Sequence, residues 1–126
     1  MSFLILIRHG QSEWNLLNKW TGFIDVELSE QGKKEAKLAA LLIKDMTLHR
    51  AHTSDLKRAQ DTLRIILEKT NHLHIPIKKH AAIKERNYGD LTGMNKDEAK
   101  KKFGDELFLK YRRSWDVAPP NGESLK

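Results

Sequence analysis

Cysteine is absent from the 126 residues of the chain. Its absence excludes disulfide bonds and thiolate metal sites and fits a reducing compartment, so we expect a cytoplasmic protein. The longest apolar run, at residues 3–7, is far too short to span a bilayer. No positively charged region precedes this run and no small-residue cleavage site follows it, so the sequence predicts neither a membrane segment nor a secretory signal.

Aromatic residues are scarce, at 7% of the chain, whereas the formal net charge is +6. A chain with this charge is expected to bind anions. A groove for single-stranded nucleic acid needs aromatic residues interleaved with basic ones, and the lysine clusters at residues 33–34, 78–79 and 100–102 lack them. We therefore expect small anions and no nucleic acid, with most lysines solvating helix faces.

Strands and helices are predicted to alternate along the chain. The predicted strands cover residues 3–7, 48–53 and 75–78. The predicted helices follow Ser29, Ser54 or Asp55, and Asn95 as N-caps, and one more begins at Asp105. This alternation favours parallel strand pairing. We expect an α/β fold in a single domain over residues 1–126, with a mostly parallel sheet flanked by helices.

Apolar side chains at helical spacing predict the buried faces of three helices. They are Ala36, Ala39, Ala40, Ile43 and Met46, then Leu56, Ala59, Leu63, Ile66 and Leu67, and then Leu107, Phe108, Tyr111 and Trp115. Residues 123–126 resemble the first turn of a further helix. Because a three-stranded parallel sheet is thin for a fold that covers both faces with helices, the chain looks incomplete.

The triplet Arg8-His9-Gly10 directly follows the first predicted strand. Ligand crevices of α/β folds lie at the carboxyl ends of the strands, so His9 is expected there. The planar fork of donors of Arg8 suits phosphate, and Gly10 allows a close backbone approach. The pattern predicts a histidine nucleophile that accepts a phosphoryl group.

Two later residues complete this chemistry. Arg58 lies at the start of a predicted helix and is a second candidate phosphate ligand, since helix N-termini also favour anions. Glu85 lies in a loop after a predicted strand and is the candidate proton donor and acceptor. Each residue alone also fits a simpler role, such as a surface ion pair of Glu85. Several separate segments would then have to mimic one phosphate site by accident.

The chain resembles the cofactor-dependent phosphoglycerate mutases of the histidine phosphatase superfamily over essentially its whole length. The matching segments are LIRHGQSEWN (6–15), TGFIDVELSEQG (21–32), TSDLKRAQDT (53–62), KERNYGDLTGMNKDEA (84–99) and YRRSWDVAPPNGES (111–124). The resemblance implies the three-layer fold of that family. The last two segments favour the mutase branch over the general phosphatases.

The resemblance also implies roles for individual residues. His9 would be phosphorylated from the cofactor 2,3-bisphosphoglycerate, and Glu85 would exchange protons with the substrate hydroxyl. The transferring phosphoryl would be held by Arg8, Arg58, Ser12 and Asn15. The rest of the phosphoglycerate would contact Thr21, Gly22, Tyr88, Lys96, Arg112 and Arg113. No metal is implied.

The family places a second histidine and further strands after the position at which this chain stops. The resemblance therefore predicts that C-terminal strands are missing from this chain. Two explanations are open: a protease cut an exposed loop and the C-terminal fragment stays associated as a separate chain, or the gene product is truncated. Relatives in the family commonly form homo-oligomers.

Three functions remain open at this point. The first is interconversion of 2-phosphoglycerate and 3-phosphoglycerate, an isomerase step of glycolysis and gluconeogenesis that proceeds through a phosphohistidine. The second is a broad-specificity histidine phosphatase. The third is a catalytically dead anion-binding fragment, which applies if the chain truly ends at Lys126.

Overall fold

The computed structural model describes residues 1–126. In chain order the elements are helix α1 (Glu13–Leu16), helix α2 (Glu30–Leu42), strand β1 (Ala51–Thr53), helix α3 (Lys57–Lys69), strand β2 (Ile77–Lys79), 3-10 turns at Ala81–Ile83 and Gly89–Leu91, helix α4 (Lys96–Phe103) and helix α5 (Asp105–Arg113). None of these helices combines the length and the apolar character that crossing a membrane requires.

Strands β1 and β2 form a two-stranded parallel sheet, in which Ala51 lies opposite Ile77 and Thr53 lies opposite Lys79. Helix α3 connects the two strands, as a parallel pair requires. The predicted α/β class and parallel pairing are confirmed. The strands are shorter than the predicted residues 48–53 and 75–78, and the second is displaced toward the C-terminus.

The predicted strand at residues 3–7 is wrong. This segment makes no strand pairing, and Phe3, Leu4 and Leu6 are 82%, 83% and 85% exposed. An apolar run of five residues has the propensity for a buried strand, but a strand forms only against a neighbour that completes its hydrogen bonds. The segment nevertheless leads directly to Arg8 and His9.

Helices α2 and α3 pack against each other, and Leu28, Ala36 and Ile65 form a small buried core between them. The predicted N-cap of α2 is confirmed, because the Ser29 hydroxyl accepts a hydrogen bond from the backbone N–H of Gly32 at 3.1 Å. This bond satisfies one of the free donors of the first turn.

The predicted N-cap of α3 is wrong, because neither Ser54 nor Asp55 caps its first turn. The backbone N–H of Lys57 instead donates to a carboxylate oxygen of Asp25 at 2.7 Å. Ser54 accepts a hydrogen bond from the N–H of Leu56 just before the helix, at 3.2 Å. A residue 32 positions earlier in the chain thus supplies the acceptor, which local sequence rules do not consider.

Other predictions fail at the ends of helices. Ile43 and Met46 lie beyond the last residue of α2. Trp115 lies beyond α5 and is 64% exposed. Residues 123–126 form no helical turn. Apolar spacing alone does not locate the residue at which a helix ends.

The positions of the C-terminal pair of helices agree with prediction, but the face predicted to pack is not buried: Leu107, Phe108 and Tyr111 of α5 are only half-buried. The Asn95 side chain accepts hydrogen bonds from the N–H groups of Asp97 and Glu98 at the start of α4. Gly104 separates α4 from α5 with φ at +80°, a conformation that favours glycine. The short helix α1 was not predicted.

Two glycines allow the backbone of the His9 loop to come into direct contact with the backbone of helix α2. A methyl group built on Gly10 would overlap the carbonyl oxygen of Gly32, and one built on Gly32 would overlap the carbonyl oxygen of Gln11. The N-terminal turn of α2 therefore fixes the position of the loop that carries His9.

We expect Gly32→Ala to destabilise the chain, although alanine normally stabilises a helix relative to glycine by about 1 kcal/mol. Overpacking of this kind costs about 1–3 kcal/mol. The free energy of unfolding in urea measures the effect, and Lys37→Ala on the exposed side of α2 is the control. A neutral or stabilising Gly32→Ala would contradict the close backbone contact.

Candidate functional site

His9 has one ring nitrogen engaged and one available. Its Nδ1 lies 2.7 Å from the carbonyl oxygen of Gly10. A carbonyl oxygen only accepts hydrogen bonds, so Nδ1 carries the proton and Nε2 holds the lone pair. Burial lowers the pKa of His9 below 6.5, and the positive charges of Arg58 and Arg8 act in the same direction, against the Gly10 bond and Glu85. The imidazole is therefore neutral at pH 7, as a nucleophile requires.

A chain of hydrogen bonds links the His9 loop to helix α3. The backbone N–H of Gly10 donates to Thr62 Oγ1 at 3.1 Å, and the hydroxyl of Thr62 donates to the carbonyl of Arg58 at 2.7 Å. Both Thr62 and Arg58 are buried. The position of His9 is thus set by the helix that also carries Arg58.

Arg58 is only 1% exposed, yet its guanidinium has three acceptors. It donates to the carbonyls of Ile24 at 2.8 Å and Gly22 at 2.7 Å. It also donates to a carboxylate oxygen of Glu85 at 3.1 Å. A buried charge is tolerated only when it is paired and hydrogen-bonded, and this one joins α3 to the loops that carry Gly22 and Glu85.

Two adjoining cavities surround these residues. The larger, of about 490 Å³, is lined by His9 and Arg58 and by parts of α3 and the end of β1. The smaller, of about 210 Å³, is lined by Lys19, Trp20 and residues of the later segments. Arg8, Glu85 and Tyr88 line both cavities. The two cavities therefore meet at these three residues, and Arg8 directly precedes His9 in the chain.

The second cavity is strongly cationic. Its lining contains five cationic side chains and the single carboxylate of Glu85; the cations are Arg8, Lys19, Lys96, Arg112 and Arg113. Burial lowers the pKa of Lys96, and the neighbouring Arg112 lowers it further. These cations repel one another without a bound anion, so the cavity favours a ligand with several negative charges.

Two residues that line this cavity each contain a buried polar atom that lacks a partner. These atoms are the indole N–H of Trp20 and the hydroxyl of Thr21. Buried polar groups are nearly always hydrogen-bonded, and an exception calls for a ligand or a water molecule. Both atoms can donate to an anion.

Tyr88 lies between the two cavities. Burial raises the pKa of its phenol, and the nearby Glu85 carboxylate raises it further. The phenol therefore stays protonated and can donate a hydrogen bond. The Tyr88 ring packs against Trp20, with ring centroids 4.7 Å apart. The guanidinium of Arg86 also contacts the Tyr88 ring and lies 4.7 Å from its centroid.

Arg86 and the last residues of the chain hold the Glu85 loop in place. Arg86 donates to the carbonyls of Tyr111 and Arg112 at 2.7 Å each, and to that of Glu123 at 2.8 Å. The backbone N–H of Asn87 donates to the Glu123 carboxylate at 2.7 Å. The C-terminal end of α5, which carries Arg112 and Arg113, is thereby fixed beside the loop that carries Glu85.

Most residues singled out from the sequence lie on these two cavities. They are Arg8, His9, Asn15, Thr21, Arg58, Glu85, Tyr88, Lys96, Arg112 and Arg113. Ser12 and Gly22 do not line either one. Ser12 is fully buried, and its hydroxyl accepts a hydrogen bond from the N–H of Asn15, whose side chain accepts one from the N–H of Ser12. Gly22 offers its carbonyl to Arg58.

Four residues that contribute to the site were not singled out from the sequence. Lys19 and Trp20 line the second cavity. Asp25 accepts a hydrogen bond from the backbone N–H next to Arg58, and Thr62 accepts one from the backbone N–H next to His9. Asp25 and Thr62 lie within the segments quoted for the resemblance, and Trp20 directly precedes one. Their position in or next to these segments is the sequence signal that could have identified them.

The family of the chain follows from its similarity to known proteins. Residues 4–126 match the histidine phosphatase superfamily (branch 1). The chain belongs to this superfamily.

Among curated relatives, a protein of Nitrobacter winogradskyi is 54% identical over 125 residues, which are 98% of this chain and 60% of the relative. A protein of Buchnera aphidicola is 56% identical over 120 residues, or 94% of this chain and 52% of the relative. Both are named 2,3-bisphosphoglycerate-dependent phosphoglycerate mutase. The chain thus spans at most about three fifths of the length of these relatives.

Solved structures give the same fold with lower identity. A mycobacterial glucosyl-3-phosphoglycerate phosphatase bound to VO3 is similar with a TM-score of 0.81 at 29% identity, over 92% of this chain and 54% of that one. The YhfR protein of Bacillus stearothermophilus is similar with a TM-score of 0.75 at 28% identity, over 92% of this chain and 56% of that one.

We expect the midpoint of the His9 titration to lie below the free value of about 6.5. Because folding disfavours the protonated ring, the folded state also loses stability as the pH falls through 6.5 toward that lower midpoint. NMR of the ring protons measures the midpoint, and His9→Gln identifies the signal. A midpoint at or above the free value would contradict the buried environment of His9.

We expect Arg58→Lys to destabilise the chain by about 3 kcal/mol, since a buried partner is lost and acceptors remain unpaired. A lysine keeps the charge but lacks the fork that reaches three acceptors. Urea unfolding measures the loss. Arg64→Lys, at an exposed position of α3, is the matched control and should change stability by less than about 0.5 kcal/mol. Equal effects of the two substitutions would contradict the role given to Arg58.

Proposed function

We propose that the protein to which these residues belong interconverts 2-phosphoglycerate and 3-phosphoglycerate through a phosphohistidine at His9. The observation that carries the proposal is the cationic second cavity beside His9, with five cations against one carboxylate. Phosphoglycerates carry a phosphate and a carboxylate and so match this charge. The names of the curated relatives support the same reaction. It is a step of glycolysis and gluconeogenesis and implies a cytoplasmic location.

His9 acts as the nucleophile in this proposal. The lone pair on Nε2 attacks the phosphorus, and the bond from phosphorus to the leaving oxygen breaks. The proton stays on Nδ1, hydrogen-bonded to the Gly10 carbonyl, so the phosphorylated ring keeps its orientation. In the reverse step an oxygen of the bound monophosphate attacks the phosphorus and Nε2 leaves.

Arg8 and Arg58 stabilise the charge on the transferring group. Three of the five N–H donors of Arg58 have protein acceptors, so the guanidinium is held rigidly with donors remaining. A preorganised donor of this kind costs no reorganisation when charge develops. Asn15 lines the second cavity beside Arg8, and Ser12 supports it through the capping bonds of α1.

Glu85 exchanges the proton of the substrate hydroxyl. Its carboxylate is one-third exposed and lies at the junction of the two cavities. One of its oxygens accepts from Arg58, and the other oxygen is the one that takes the proton. General acid–base catalysis at such a position contributes about 10²–10⁴-fold. The protonated phenol of Tyr88 lies beside it as a donor.

The second cavity fits 2,3-bisphosphoglycerate as a cofactor. Its free polar atoms on Trp20 and Thr21 and its excess of cations suit a multiply charged anion. It would be held by Arg8, Lys96, Arg112, Arg113, Thr21 and Tyr88. When bound, it supplies the phosphoryl group that primes His9.

Hydrolysis of phosphate esters is a second candidate function. The similar solved structure with a TM-score of 0.81 is named as a phosphatase. In that reaction water replaces the monophosphate as acceptor of the phosphoryl group from His9. A dead anion-binding fragment is the third possibility.

The proposal is tested by incubating the purified protein with 2,3-bisphosphoglycerate and then with 3-phosphoglycerate. We expect an acid-labile phosphohistidine by ³¹P NMR and isomerisation faster than hydrolysis. The intact mass under denaturing conditions, recorded on the same sample, tells whether a second polypeptide accompanies the 14.6 kDa chain.

His9→Gln should lower both phosphorylation and isomerisation by about a thousandfold or more, because the nucleophile is lost. His49→Gln is the matched control, since His49 is exposed and lies on neither cavity. Faster hydrolysis than isomerisation would favour the phosphatase. Anion binding without phosphohistidine would overturn both enzymatic proposals.

A further inference from the structure

The hydroxyl of Thr62 lies between two backbone groups that belong to distant parts of the site. It accepts a hydrogen bond from the N–H of Gly10, 52 positions away in the chain, and donates one to the carbonyl of Arg58. A backbone N–H only donates and a carbonyl only accepts, so the single hydroxyl hydrogen is committed to Arg58 and a lone pair to Gly10. Thr62 is 4% exposed, so water does not readily replace either bond.

Gly10 needs such external contacts because a glycine has wide backbone freedom. The peptide before Gly10 is held by the bond from its N–H to Thr62. The peptide after Gly10 is held by the bond from the N–H of Gln11 to a carboxylate oxygen of Glu35 at 3.1 Å. The carbonyl of Gly10, which lies 2.7 Å from Nδ1 of His9, is oriented by these two bonds together.

We propose that Thr62 is a positioning residue for the nucleophile, whose hydroxyl holds the Gly10 backbone so that the Gly10 carbonyl keeps the proton of His9 on Nδ1. The inference rests on the proposed function, since it is phosphoryl transfer that needs the lone pair on Nε2. The same hydroxyl is bonded to the backbone of Arg58. It therefore also sets the distance between the nucleophile and a cation that stabilises the transferring group, and such spacing contributes strongly to the rate.

A second threonine of α3 shows which of the two bonds is distinctive. Thr70, at the C-terminal end of the helix, also donates its hydroxyl to the carbonyl four residues earlier, that of Ile66, at 2.8 Å. It is 7% exposed. Its oxygen faces Nδ1 of His72 at 2.9 Å and makes no contact with the His9 loop. The bond back to the helix is thus an ordinary feature of a buried threonine, whereas the bond to Gly10 connects Thr62 to the nucleophile.

Nitrogen-15 NMR of the histidine rings at pH 8 tests the proposal on the whole chain without any ligand. His9 is neutral at this pH, because burial holds its pKa below 6.5. We expect the Nδ1–H tautomer in the parent and a mixture of tautomers in Thr62→Val, which keeps the shape of the side chain but loses the hydroxyl. Thr62→Ser keeps the hydroxyl and should keep the parent tautomer. Thr70→Val is the matched control and should lose stability without changing His9.

The rate of phosphohistidine formation from 2,3-bisphosphoglycerate gives the second readout. Thr62→Val should lower this rate at saturation by about tenfold or more, because a misplacement of about 1 Å can cost about a hundredfold. The KM should change little, since Thr62 does not line the cationic second cavity. Thr62→Ser should restore the rate. If the parent forms no phosphohistidine, the proposed function fails, and the ring tautomers still test the role of Thr62.

The parent tautomer in a folded Thr62→Val would overturn the proposal. So would a Thr62→Ser variant that behaves like Thr62→Val, because the methyl group rather than the hydroxyl would then be responsible. Hydrogen exchange of the Gly10 amide in the parent keeps the test valid if Thr62→Val does not fold. We expect this amide to be protected although it lies outside any helix or strand, and exchange at the unprotected rate would contradict the bond to Thr62.

Discussion

The buried guanidinium of Arg58 is the interaction on which the remaining structure depends. It joins three parts of the chain that belong to no common helix or sheet. These are helix α3, the loop at Gly22 and Ile24, and the loop that carries Glu85. Isolated, a cation this deeply buried would be very unfavourable. All of its acceptors must therefore surround the guanidinium in the folded state, and this requirement orders the two loops. The same positive charge also lowers the pKa of His9.

The same arrangement explains how the chain keeps a defined site although the apolar cluster between α2 and α3 is small. This cluster contains Leu28, Ala36 and Ile65. Order around the site comes instead from polar contacts of buried groups, such as Thr62 with Gly10 and Asp25 with the first turn of α3. Such networks are strong only when every member is satisfied. The free polar atoms of Trp20 and Thr21 are the exceptions, and they lie where a ligand is expected.

Sequence reasoning succeeded where the signal was local. Ser29 and Asn95 were recognised as helix caps because the acceptor and its donors lie within three residues. The cap of α3 was missed because Asp25 supplies it from a distant loop. The strand at residues 3–7 was predicted from its apolar run, but pairing depends on neighbours that the run does not specify. For the site, residue types indicated His9, Arg58 and Glu85, whereas Trp20 became visible only through packing.

The contacts that close the site join residues far apart in the chain. Arg86 reaches Glu123, Asn18 reaches Asp97, and Gly10 reaches Thr62. Helices form from neighbours and form early, whereas closing such long loops is slow and entropically unfavourable. The helices of this chain can therefore be intact while the cavities are not yet assembled. Helical content measured by circular dichroism will not report whether the site exists, and the fluorescence of Trp20, buried beside Tyr88, is the better probe of its assembly.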